Sequence, residues 1–468
     1  MIINSFKKLF IVFLLGISTA GYTQCPVEIY LSTQNQVDSF SHQYPGCHQV
    51  NDLFISMSGN ITNLKGLKVL HGHQNSIGIL AYGKEINFEG LENIDSIEYL
   101  GITESRNTTG FSRLKYIDYL YFKNESNFDL SGFSILEHIN NCVLIGVAAL
   151  NGPSYDLLAF PNIKFINSLS LTGNFQLPGV EKVDSISWLI IKSNYVLKNL
   201  EALSARKNLE HLVLSSVWTD FSFTGTELIK DLKILSISNG KKIMTLDGLK
   251  NIENIEFLSL DNITEFVPQN LKELSAIKGI KGLYINKVNG LQSLEGFPAS
   301  DTLHELFLKK NKHLSNISAL EKVKNIGFKN FRWELENGIE ITDNPLLSEC
   351  SVRPVCEMLK NFPDSLKLIN NNGLNCGKEE DILSKCISTA LLDSVNDIHF
   401  YPNPTFDQIT PSEEIIVHRI FNGQGICVSD FYTHNHTIDL SDLPTGIYYL
   451  HYTKNKGNVT RIHKVIKL

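Results

Sequence analysis

Past its first two dozen residues, the 468-residue chain has no apolar run long enough to cross a bilayer, so no transmembrane segment is expected in the mature chain. It has no strong charge of either sign. The formal net charge is −7 and the lysines are scattered, which argues against nucleic acid as a partner. No P-loop, H-E-x-x-H, G-x-S-x-G or EF-hand pattern occurs. The eight cysteines include no C-x2-C pair of the kind a four-cysteine zinc site needs. His71 with His73 and His434 with His436 are close pairs, but neither has the nearby carboxylate that would complete a metal site. No catalytic residue, metal or cofactor is therefore expected, and the chain does not read as an enzyme.

What the chain does have is a repeat. Leu189-Ile190-Ile191-Lys192-Ser193-Asn194 is followed by Leu197, Leu200 and Leu203; Leu306-Phe307-Leu308-Lys309-Lys310-Asn311 is followed by Leu314, Ile317 and Leu320. The opening hydrophobe falls at Leu169, Leu189, Leu212, Leu235, Leu258, Leu283 and Leu306, with gaps of 20, 23, 23, 23, 25 and 23. A period in the low twenties predicts a solenoid, in which no single turn can bury its own leucines and every turn needs neighbours. The Leu-x-Ile step is a short strand with alternate residues inward. The Asn after it bonds backbone at the exit turn, and Val217 replaces it in one turn. Gly in return segments such as Lys65–Leu67 and Asp247–Leu249 favours a β-solenoid over a helix-rich horseshoe, because mid-helix Gly is costly. Twelve or so stacked strands are expected, the last at Ile339 to Asn344 and stopped by Pro345.

The ends are distinct. Lys7 and Lys8 precede an apolar run from Leu9 to Ile17 and then small residues, a secretory signal peptide over 1–24. An N-terminal cap over 25–51, with Cys25 and Cys47, leads into a solenoid over 52–345 whose repeats are irregular between 76 and 165. A cysteine-rich cap follows over 346–386. Its four cysteines allow three pairings; Cys350 with Cys376 and Cys356 with Cys386 is the expected one, leaving Cys142 and Cys427 as thiols. Disulfide-capped ends make sense where a coil would otherwise expose raw core.

The Leu-x-Ile-x-x-Asn strands, their Leu-x-x-Leu steps and the ending Asn344-Pro345-Leu346-Leu347-Ser348-Glu349-Cys350 resemble the leucine-rich-repeat superfamily. They are closest to the receptor L domain-like solenoids of secreted Bacteroidetes proteins. Over 25–386 the resemblance implies a mostly β, right-handed parallel solenoid. It does not by itself imply a function.

After a linker over 387–395, the segment 396–468 changes character. Tyr401-Pro402-Asn403-Pro404-Thr405 cannot be helix, with prolines two apart. Ile447 to Tyr452 and His463 to Leu468 alternate as strands, and the whole reads as a small antiparallel β-sandwich. Tyr401, Pro402, Asn403 and Pro404, the stretch through Gly446, and the basic last strand with Lys464 resemble the type A C-terminal sorting domain of type IX secretion cargo. That resemblance implies handling by the type IX machinery, passage through the periplasm, and a secreted or outer-surface location.

Outward positions on the strands provide the candidate binding face. The residues singled out are Tyr121, Lys123, Lys192 and Asp261, with Tyr284, Asn286, Phe307 and Lys309. Asp261 is expected to lie between Ser238 and Asn286, and Glu340 beyond Lys309, so that no pair of acids forms for glycoside hydrolysis. Tyr284 and Phe307, on adjacent turns, lead the set. The expectation is recognition of an extracellular protein or glycan. The alternatives are a solenoid enzyme acting on polysaccharide or protein, with its site in the irregular repeats, and a structural component of the surface layer.

Overall fold

In a computed structural model the described residues are 25–468, apart from 84–87, 106–107, 126–129, 152, 155–159, 161, 178, 328–337, 394–397, 399, 425, 434–436 and 455–460. The expected signal peptide and the His434/His436 pair lie outside them. The chain divides into two compact units, 1–384 and 385–468.

The first unit is the coil. Its strands begin with β1 (Glu28–Leu31), β2 (Asp52–Ser56), β3 (Gly72–Leu80), β4 (Ile94–Thr103) and β5 (Tyr116–Lys123). They continue with β6 (His138–Ile145), β7 (Phe165–Thr172), β8 (Ser185–Asn194), β9 (His211–Val217), β10 (Asp220–Ser222) and β11 (Asp231–Ser238). Next come β12 (Lys242–Thr245), β13 (Asn254–Ile263), β14 (Glu265–Phe266), β15 (Gly282–Val288) and β16 (Thr302–Leu303). The last are β17 (Glu305–Lys309), β18 (Asn325–Ile326), β19 (Ile339–Thr342) and β20 (Lys367–Asn370). Fifteen of these twenty form one parallel sheet, β1 through β9 and then β11, β13, β15, β17, β19 and β20. The sheet is longer than the dozen strands expected. Both caps contribute to it, β1 at one end and β20 at the other, so the strand before Pro345 is not the last.

The leucines stack as the period requires. Leu189 pairs in register with Leu212, Leu212 with Leu235, and Leu235 with Leu258, all of them buried. Single 3-10 turns, among them Lys65–Leu67, Glu201–Leu203 and Lys272–Leu274, return the chain in place of α-helices. Glycine at two of these returns has a packing cause: a Cβ on Gly66 would land on the Val37 carbonyl, and one on Gly248 on the Phe223 carbonyl.

The strand-exit asparagines are buried, and in the last turns they bond one another. Asn311 Nδ2 donates to Ile285 O at 2.9 Å and to Asn344 Oδ1 at 3.1 Å, and Asn344 Nδ2 donates to Asn372 Oδ1 at 2.9 Å. The sequence reading is corrected in the middle of the coil. Register places Val217 beside Asn194 and Val288 beside Ile263, and the asparagines of the intervening turns, Asn239 and Asn262, fall one residue short of the ladder. The ladder therefore lapses over several turns, not one. There β10, β12 and β14 form a second parallel sheet just past the gap. Its neighbourhood satisfies the exit backbone directly, with Lys241 N donating to Val217 O at 3.1 Å and Thr264 N to Gly240 O at 3.0 Å.

The caps match their cysteines. Cys25 bonds Cys47 and Cys350 bonds Cys376; Cys356 and Cys386 are each disulfide-bonded too, while Cys142 and Cys427 are thiols. The N-terminal cap holds α1 (Gln34–Asp38), opened by a Thr33/Gln36 capping box, and α2 (Phe40–Gln43). In the C-terminal cap, α3 (Arg353–Asn361) buries Val355, Met358 and Leu359. The expected linker over 387–395 is largely helical instead, because α4 runs Glu379–Asp393.

The second unit has two antiparallel sheets. One contains β21 (Phe400–Tyr401), β22 (Gln408–Pro411) and, later in the chain, β25; the other contains β23 (Ile415–Asn422), β24 (Cys427–Thr433), β26 and β27. Here β25 is Ile438–Asp439, β26 Gly446–Lys454 and β27 Arg461–Lys467. Phe400, Ile409 and Ile438 from the first sheet bury against Val417, Leu450 and Val465 from the second.

Candidate functional site

The outward face of the long sheet has more rows than the repeat shows. Strands β4 to β8 begin several residues before the Leu-x-Ile step, and those extra residues add two outward positions per turn. One new row runs Ser76, Tyr99, Tyr119, Asn141, Ser168, Trp188 and His211. A second runs His73, Ser96, Tyr116, His138 and Phe165. Lateral neighbours one strand spacing apart stack. Ring centroids are 5.6 Å apart for Tyr99 and Tyr119, 4.9 Å for Tyr116 and His138, and 4.3 Å for His138 and Phe165. These rings were missed because the irregular repeats hide the early start of each strand. The signal that marks them is Tyr-x-x-Tyr in Tyr116–Tyr119, one turn above Tyr99.

Two of these rings floor a depression of about 540 Å³ over the first turns. Tyr99 is 39% exposed, and its ring lies over Gly101, where a Cβ would crowd it. Asp52, Asn75, Ser76, Glu98 and Asp118 surround Tyr99 and Tyr119. Burial raises the phenol pKa of both tyrosines, for Tyr99 with Tyr119 and Tyr121 adding to the rise, so the hydroxyls stay protonated and able to donate. The expectation that no two acids meet on this face is corrected here. Glu98 follows Ile97 and Asp118 follows Ile117, and those two isoleucines pair in register, which sets both carboxylates on adjacent turns of one depression. Each carboxylate is already engaged: Glu98 lies 3.5 Å from His73 Nε2, and Asp118 accepts from Asn140 Nδ2 at 2.9 Å.

The residues singled out from the repeat fall into separate groups. Tyr121 and Lys123 lie on β5, half-buried, and Tyr121 stands beside the Tyr99/Tyr119 floor. Lys192 is exposed on β8, three strands from both Lys123 and Asp261. The third group does assemble. Ser238 and Asn286 flank Asp261, as expected, and Asn286 Nδ2 donates to Asp261 at 2.7 Å. Tyr284 pairs with Phe307, with rings 5.9 Å apart. Phe307, however, is only 2% exposed and offers no ring to a ligand. Its other neighbour, Glu340, is 8% exposed, and Thr342 beyond it is closed as well. Outward on the last turns does not mean solvent-facing. Lys309 is committed internally, 2.6 Å from Glu340, whose carboxylate also accepts from Thr342 Oγ1.

The second unit carries the other predicted set. Asn403 Oδ1 accepts from Ile466 N at 2.9 Å and its Nδ2 donates to Lys464 O at 2.8 Å, tying the segment containing Tyr401, Pro402 and Pro404 to the last strand. Gly446 pairs in register with Lys467. Lys464 itself points into solvent. The basic side chain that matters to the packing is Lys467, which is buried and whose Nζ donates to the carbonyls of Leu440, Ser441 and Leu443 at 2.5, 2.9 and 2.6 Å.

Among known families, residues 399–467 match the secretion system C-terminal sorting domain. No curated protein is a significant match to the chain. The sorting domain makes this a secreted or outer-surface protein handled by the type IX secretion machinery, and no helix among the described residues is long and apolar enough to cross a membrane.

Proposed function

We propose that this exported solenoid is a recognition protein that binds an extracellular glycan or protein on the outward face of its long sheet. The contact lies on the first turns rather than the last. The observation that carries this reading is the Tyr99/Tyr119 floor with its polar surround. Partly exposed aromatic rings supply stacking area at little entropic cost, and a few polar groups around them fix orientation. The period and the asparagine exits are of the leucine-rich-repeat and receptor-L kind, a likeness in fold that leaves the function to the site. Binding, not catalysis, suits carboxylates that are already occupied by His73 and Asn140.

The test is a screen of the purified chain against glycan and protein arrays, followed by a Tyr99→Ala, Tyr119→Ala double variant. Loss of the hit in that variant, with Tyr284→Ala unchanged, is the expected result. Unchanged binding in the double variant sinks the placement. A second reading, hydrolysis of polysaccharide, is favoured by Glu98 and Asp118 on adjacent turns. It requires new reducing ends that disappear in Glu98→Gln.

A further inference from the structure

A groove of about 780 Å³ runs along the strand exits of the last turns, away from the tyrosine floor. Two residue rows line it. Asn262, Lys287, Lys310 and Asp343 occupy the first exit position of successive turns, and Asn289 and Lys312 stand just around the corner. In a chain of net charge −7, three lysines converge here with one acid, and the Asp343 carboxylate is occupied by Asn371 Nδ2 at 3.0 Å.

Two costs meet at this place. Several of the coil's lysines lie laterally against acids on the neighbouring turn, as in Lys233 with Glu210, Lys241 with Asp220 and Lys281 with Glu256. Among the described residues Lys287, Lys310 and Lys312 have no such partner, and like charges one strand spacing apart repel. The exit position also imposes left-handed backbone. Ser193, Ser216, Asn239, Asn262 and Asp343 take it with φ between 51 and 57°, and short polar side chains tolerate that region. Lys287 and Lys310 sit there at 51 and 55° without that advantage. Lys287 and Lys310 thus combine left-handed backbone with a like charge beside them on adjacent turns, a placement that points to a function.

We infer that this groove binds the sulfate or carboxylate groups of an acidic polysaccharide. The cations repeat at the coil's rise of ~4.8 Å, so they meet anions spaced along an extended chain. Asn262 Nδ2 already donates to Asn239 Oδ1 and Asn289 Nδ2 to Thr264 O, which holds the two amide oxygens among the lysines to accept from sugar hydroxyls. A single phosphate would leave most of this row unused.

The test uses the full chain with dextran sulfate and polygalacturonate as anionic probes, neutral dextran as the uncharged control and duplex DNA as the competing polyanion, by calorimetry. The groove variant replaces the three lysines with short polar residues, Lys287→Ser, Lys310→Asn and Lys312→Ser. Its control makes the same charge change elsewhere, Lys207→Ser, Lys250→Ser and Lys322→Ser. At least one anionic polysaccharide should bind, dextran should not, and the groove variant should lose about tenfold or more in affinity while the control stays within about twofold. Which of the two polymers binds identifies sulfate or carboxylate. Equal losses in both variants, no binding of either anionic polysaccharide, or DNA binding as tightly, overturns the inference. The Tyr99→Ala, Tyr119→Ala variant should bind the polyanion normally, which separates this site from the tyrosine floor.

Discussion

Asn344 Oδ1 accepts both the backbone N–H and the side-chain amide of Asn311, at 3.0 and 3.1 Å, so one carbonyl oxygen joins two turns of the coil. Its Nδ2 donates in turn to Leu308 O at 2.7 Å, back across the same interface. All of these groups are buried, where an unsatisfied donor or acceptor carries its full desolvation penalty. Asn344→Ala should therefore lower unfolding free energy by about 2–4 kcal/mol, read from urea melts. A loss no larger than that of an exposed Asn→Ala would show the ladder to be dispensable.

The Lys309–Glu340 pair is half-closed from solvent, with Glu340 the more buried partner. Lys309→Met leaves that carboxylate without its cation and should cost about 1–3 kcal/mol. Adding Glu340→Leu should restore most of the loss, because a buried ion pair is readily replaced by apolar groups. Equal instability of the single and double variants would contradict this.

Cys142 is fully buried in the leucine stack, and burial pushes its thiol pKa far above the ordinary range, whereas Cys427 is exposed. A thiolate reagent should label Cys427 alone on the native chain, and Cys142 only after denaturation. Peptide mapping distinguishes the two.

Glu253 receives Lys278 at 2.5 Å and Lys230 at 3.4 Å, and those hydrogen bonds hold its carboxyl below the ordinary value of 4.5. Lys241 lowers Asp220 from 3.8 in the same way. A carboxylate with a lowered folded pKa stabilises the native state fully above its ordinary value, and that contribution is lost as pH falls through the folded value. Thermal melts should therefore drop between about pH 5 and pH 3, slightly less steeply in Glu253→Gln. Both groups are solvent-exposed, so the difference should also shrink in high salt.

Lys467 donates to three carbonyls of the segment Leu440 to Leu443. Lys467→Met should loosen the sorting domain and reduce export, seen as a smaller extracellular fraction by immunoblot, while Lys464→Met should leave export near normal. The reverse ranking would place recognition on the exposed strand rather than on this internal tie.

The period was legible because stacking is a local rule repeated. Each inward Leu meets the Leu one turn away, so Leu189, Leu212, Leu235 and Leu258 announce the sheet, and Cys25 and Cys350 announce its caps. The sorting domain was legible for a different reason, since Asn403 and Gly446 sit in a compact motif. Exposure is another matter. Phe307 and Tyr99 both point outward, yet one is closed and the other open, a difference that strand alternation alone does not carry. Nor does the order of residues show that Lys287, Lys310 and Lys312 share one groove with a single acid, because lateral pairing is decided by register across turns. The chain by itself determined which residues face in; only the stacked coil decided which outward residues meet water, and which meet each other.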